Sequence, residues 1–159
     1  MEQEIQDQFN RINEFMDNHQ HIGYDATRID FKNIYRKKIY LTHTIAGTGA
    51  ATAANYGTFY IVPVNCVFNG FKEVHRGNSS GNGTLMLEKL TGTQAPDAGV
   101  SMLATTIDLT AALNTIQTAT LTTTLANRSL VAGDRLCLKD AGTLTNCKNV
   151  VVLVELILI

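Results

Sequence analysis

The stretch CVFNGFKEVHRGNSSGNGTLMLEKLTG, residues 66–92, decides the fold class. CVFNGFKEVH (66–75) and GTLMLEKLTG (83–92) are short, rich in β-formers and largely alternating, the period of a strand with one buried face. Between them RGNSSGNG (76–83) gathers glycine, serine and asparagine, residues that tolerate the positive φ of tight turns. The spacing predicts two strands joined by an exposed hairpin loop.

The same grammar runs outward in both directions. Further strands are expected at KIYLTHTIA (38–46), GTFYIVP (57–63), ATTIDLT (104–110), TIQTATLTTT (115–124), DRLCLKD (134–140) and NVVVLVELILI (149–159). Over 112–130 threonine alternates with apolar residues, which reads as one long strand with a polar, β-branched face. VAGD (131–134) places Gly133 in a tight turn just before the next strand. Many short strands separated by turn signals predict a mainly β chain, an antiparallel β-sandwich or jelly roll over residues 38–159. No internal repeat is evident.

The first residues obey a different period. Ile5, Phe9, Ile12, Met16 and His19 are spaced four, three, four and three apart, the seam of a heptad repeat, and except for Phe15 their neighbours are polar. Such a stripe predicts a short helix over 1–22 that forms a trimeric coiled coil, followed by a linker over 23–37. A helix of this length is marginal alone, so the β-body must supply part of the association energy. The competing arrangement folds the helix back onto its own body.

Composition narrows the function classes. A net charge of -1 over 159 residues offers no extended cationic surface, and RKK (36–38) suits a charged strand edge better than a phosphate track, so neither nucleic acid nor membrane is an expected partner. The acidic opening MEQEIQDQF lacks the basic, apolar pattern of a secretion signal. VVVLVELILI is too short to span a bilayer, which takes about 20 residues, and is interrupted by Glu155. Cys66, Cys137 and Cys147 show no CxxC pairing and are expected as small core residues in a reducing compartment.

Catalytic signatures are missing from the sequence. No serine sits in a GxSxG elbow, GTGAATAANYG (47–57) lacks the lysine of a phosphate loop, and Glu88, Asp97, Asp108 and Asp134 are scattered. His43 and His75 fall in predicted strands without an evident acid partner. An enzyme is not expected, nor an organic cofactor.

The pair in HQHIGYDATRID (19–30) is the remaining chemical feature. His19 takes a seam position and His21 falls where the helix ends before Gly23. In a threefold assembly the two histidines of each chain would offer six imidazole nitrogens, a reasonable octahedral set for an axial transition metal. Capping or packing at the joint explains the same residues without a metal.

Taken together, the His19, His21, Gly23, Asp25 junction, NYGTFYIVP, LEKLTGTQAPDAG, TLTTTLANRSLVAGDRLCLKDAGTLT and the closing apolar strand resemble small structural proteins of tailed-phage virions. The resemblance covers most of the chain. It implies a homotrimeric capsid decoration, cement or head-fibre protein without catalytic residues, partnered by the major capsid protein or another virion component. Its place would be the virion surface, after assembly in the host cytoplasm. A tail-fibre or receptor-binding module contacting the host surface is the alternative. That alternative would be marked by aromatic residues in the loops 76–83 and 92–99, which contain none.

Overall fold

The computed structural model describes residues 37–45 and 56–159. The expected helix over 1–22 and all but the last residue of the expected linker over 23–37 therefore lie outside the described residues. Among the described residues ten strands and one helical turn follow in order: β1 (Lys38–Ile45), β2 (Thr58–Ile61), β3 (Cys66–Val74), β4 (Thr84–Leu90), β5 (Val100–Ser101), β6 (Ile107–Asp108), β7 (Gln117–Thr118), α1 (Leu125–Arg128), β8 (Ser129–Leu130), β9 (Arg135–Ala141) and β10 (Val150–Leu158).

β10 shows why the sequence folds this way. Val150, Val152, Val154 and Leu156 are fully buried, while Val151, Leu153, Glu155 and Ile157 look outward and are half-buried, as the two-residue period of a strand requires. β10 is central in a five-stranded antiparallel sheet ordered β1-β10-β3-β7, with β8 also paired to β3. The second five-stranded sheet is ordered β2-β9-β4-β5, with β6 also paired to β4. The inner faces share one core, in which Phe68, Phe71 and Val154 of the first sheet join Leu85, Leu87, Leu136 and Leu138 of the second. Each such side chain contributes about 1.5–3 kcal/mol on leaving water.

Two sequence expectations need correction. β3 and β4 lie in different sheets, so RGNSSGNG is a crossing between sheets, not a hairpin loop. Its Ser79 is buried, its hydroxyl donating to the Thr143 carbonyl and accepting from the Gly81 and Gly83 amides. None of its residues has positive φ. Gly77 is needed for close approach instead, since a Cβ there would lie 2.6 Å from Cγ of Lys148.

The second correction concerns 112–130, which is a broken strand, not a long one. β7 pairs Thr118 with Lys72, Leu121 makes an isolated bridge to Leu103 between β5 and β6, and only Ser129 and Leu130 return to β3, opposite Val67 and Cys66. Between them the chain leaves the ladder as α1, where the Lys89 ammonium donates to the carbonyls of Ala126 (2.7 Å) and Ser129 (3.0 Å). VAGD behaves as expected: Gly133 has φ +94°, the left-handed region that a side chain would strain.

Candidate functional site

The outer face of the first sheet carries a surface site. Pairing between β10 and β3 shifts register at Glu155/Leu156: Gly70 faces Glu155 and Phe68 faces Leu156, leaving Asn69 as the extra residue of a β-bulge. The bulge turns the Asn69 amide onto Glu155, to whose Oε1 it donates at 2.6 Å. Lys38, on the neighbouring β1, places its ammonium 2.9 Å from the same oxygen. These contacts, that of Lys38 foremost, hold the Glu155 carboxyl below the usual carboxylate range.

Beside this fixed carboxylate lies a groove of about 330 Å³, formed by Tyr40, Asn69, Gly70, Lys72, Thr118 and Leu153 among others. Tyr40 stands directly opposite Glu155 in the β1–β10 ladder and is 56% exposed. An aromatic face, a carboxylate, an amide, an ammonium and a hydroxyl can together hold a polar ligand by stacking and hydrogen bonds. Here the aromatic residue sits on a sheet face, and neither loop singled out in the sequence supplies it.

A second cluster lies inside. The scattered-carboxylate picture missed Glu73, which with His75 follows the strand period and points into the core: the two are 1% and 0% exposed. Imidazole Nδ1 lies 3.0 Å from Glu73 Oε1. Nε2 faces two acceptors, Oδ1 of Asn78 at 3.1 Å and the Ala111 carbonyl at 3.2 Å, and Asn78 is oriented by donating from Nδ2 to the Thr110 carbonyl. Nε2, facing acceptors only, therefore carries a hydrogen. The Gln117 amide donates to the other carboxylate oxygen at 2.8 Å and to the Asp108 carbonyl at 2.7 Å. Burial pushes the Glu73 carboxyl above its ordinary range, opposed by these hydrogen bonds. The i, i+2 spacing of EVH was the available signal.

The other candidates resolve as structure. His43 is half-buried and stacks on Phe59 with ring centroids 4.9 Å apart, and burial lowers its pKa. Cys66, Cys137 and Cys147 are buried free thiols, each pushed up by burial. Lys139 approaches Glu88 at 3.4 Å and Asp97 at 4.0 Å. Asp134 accepts from the Val131 amide and closes the VAGD turn. Among the described residues, no three or more His, Cys, Asp or Glu gather as metal ligands, and no helix is long and apolar enough to cross a membrane. Ile5, Phe9, Ile12, Met16, His19 and His21 all lie outside the described residues.

No family model matches the sequence, and no curated protein matches it. Among solved structures the chain is similar to one in the cyanophage Pam1 capsid asymmetric unit, with 16% identity and a TM-score of 0.44 over 77% of this chain and 84% of that one.

Proposed function

We propose that the protein is a structural component of a tailed-phage virion, a homotrimer that decorates and stabilises the capsid. The observation that carries this reading is the winding of the sheets. If β5 with β6, and β7 with β8, are each taken as one interrupted strand, eight strands remain and, renumbered in chain order, the sheets run 1-8-3-6 and 2-7-4-5. That is the order of a jelly roll, an architecture widely used in viral shells. The argument is one of architecture, and the sequence resemblance supports it independently.

The chemistry agrees. The Glu73–His75 pair is sealed in the core, where no substrate reaches it, and the exposed groove is equipped for holding rather than for bond breaking. The body would be the displayed part, and residues 1–22 the trimer stalk or the anchor to the major capsid protein.

Cryo-electron microscopy of particles should find threefold density of this size on the shell; density confined to the tail would overturn the proposal. In solution, Phe9→Ala or Ile12→Ala should weaken the trimer by about 2–5 kcal/mol per buried site. Light scattering with a chelator tests the axial metal: dissociation on chelation places it at His19 and His21, and a resistant trimer leaves them as packing residues.

Tyr40 and its groove favour a second reading, the receptor-binding module, in which host-surface sugar rings stack on the exposed phenol. Loss of host-glycan binding in Tyr40→Ala would support it.

A further inference from the structure

We infer that the groove beside Glu155 takes a sugar ring carrying one carboxylate, a hexuronate residue of a surface polysaccharide. This deepens the receptor-binding reading of Tyr40 and rests on it, adding the charge of the ligand.

The charges select an anion. Glu155 is neutralised by the Lys38 ammonium at 2.9 Å, so it leaves the groove no net negative charge. Lys72 is exposed on the wall that β3 supplies, and among the described residues it pairs with no carboxylate. Its neighbour Glu73 follows the strand alternation to the opposite face and is sealed in the core. One positive charge therefore remains over, and a ligand bearing one carboxylate completes it with a charge-assisted hydrogen bond.

The rest of the lining selects a hydroxylated ring. The Tyr40 ring is 56% exposed, and its hydroxyl bears on the Glu155 carboxylate, which fixes the aromatic face as a platform for the CH face of a sugar. Leu153 adds an apolar floor. Asn69 gives an amide hydrogen to Glu155 and keeps Oδ1 as an acceptor, and the Thr118 hydroxyl can donate or accept. Gly70 keeps the space open, since a Cβ there would lie 3.3 Å from Cβ of Glu155. At about 330 Å³ the groove sits near the lower end of small-molecule sites, with room for a sugar residue and not for a folded partner. A bare carboxylate would satisfy Lys72 and leave Tyr40, Asn69 and Thr118 unused.

The test uses the full chain in saturation-transfer NMR titrations at low salt. The probes are glucuronate, galacturonate and mannuronate, their neutral parents glucose, galactose and mannose, and acetate. The best uronate should bind about threefold or more tighter than its neutral parent, and acetate should not displace it. Lys72→Gln and high salt should each bring the two sugars level, while Lys72→Arg keeps the difference. Tyr40→Ala should weaken both. Lys72 is exposed, so its variants should melt as wild type does. A preference for uronate that survives Lys72→Gln, equal binding of uronate and neutral sugar by the wild type, or acetate binding as tightly as the uronate would overturn the inference. The second of these outcomes would leave Tyr40 as a sugar platform and the receptor-binding reading intact. Binding of no sugar in the panel would overturn both.

Discussion

Replacing His75 by alanine tests whether the buried network is structural. The change removes the only partner that the described residues place on Glu73 Oε1 and leaves Asn78 Oδ1 and the Ala111 carbonyl short of their shared partner. A buried acceptor left without a donor costs about 1–3 kcal/mol, and a buried carboxylate stripped of its partner more. Glu73 is sealed, whereas Asn78 and Ala111 are only half-buried and water can replace part of their loss. We therefore expect His75→Ala to cost about 3–5 kcal/mol, a large share of the 5–15 kcal/mol typical of a domain. With a urea dependence of about 2 kcal/mol per molar, the unfolding midpoint should fall by about 2 M.

Glu73→Gln is the informative counterpart. A glutamine there can accept from Gln117 and donate to Nδ1, so every bond is kept, and its cost should stay below about 1.5 kcal/mol. It should also change the pH profile. Burial raises the Glu73 pKa, so above the ordinary carboxylate range the unfolded chain has released a proton that the folded protein still holds. The folded state then binds more protons, and its stability falls as pH rises towards the folded value. Wild type minus Glu73→Gln should show that fall. A His75→Ala midpoint shift under about 0.5 M, or equal losses in the two variants, would refute the reasoning.

Other perturbations separate the remaining contributions. Leu87→Ala opens a cavity between the sheets and should cost about 2–5 kcal/mol in chemical denaturation. Gly133→Val forces a β-branched residue to φ +94° and should cost at least about 1–2 kcal/mol, although nothing lies within 4 Å of the new Cβ, so a melting curve reads backbone strain without a clash. Lys38→Met should remove the stabilisation that Glu155 provides above the ordinary carboxylate range and that wild type loses as pH falls through its depressed value. Acid denaturation of the two proteins should therefore converge at low pH.

Legibility in the sequence followed the physics of each segment. β1, β3, β4, β9 and β10 were readable because one face meets the core and the other does not, which writes burial into a two-residue rhythm. The threonine run misled because strand-like composition persists where pairing does not: residues 119–128 span the gap between two anchor points on β3, a constraint set by a distant strand. The crossing at 76–83 looked like a hairpin because turn-forming residues do not tell whether the next strand returns to the same sheet. Of the sites, the Glu73–His75 pair was passed over, because the i, i+2 spacing of EVH puts both on one strand face without saying that this face is buried. The Glu155 site left no such signal, since it depends on a bulge and on β1 lying next to β10.

The placement of β10 sets the order in which the chain can be built. It lies between β1 and β3, so the ladder joining them is absent until residues 150–158 have been synthesised. Until then β1 has no neighbour on the side that β10 will fill, and β3 has only the short β7 and β8. Closing a loop of more than a hundred residues late makes folding slow and leaves strand edges open to neighbouring nascent chains. A released chain truncated before residue 150 should be able to form its second sheet while β1 stays without its partner. Yield during synthesis, more than final stability, is then where variants in β10 will show themselves.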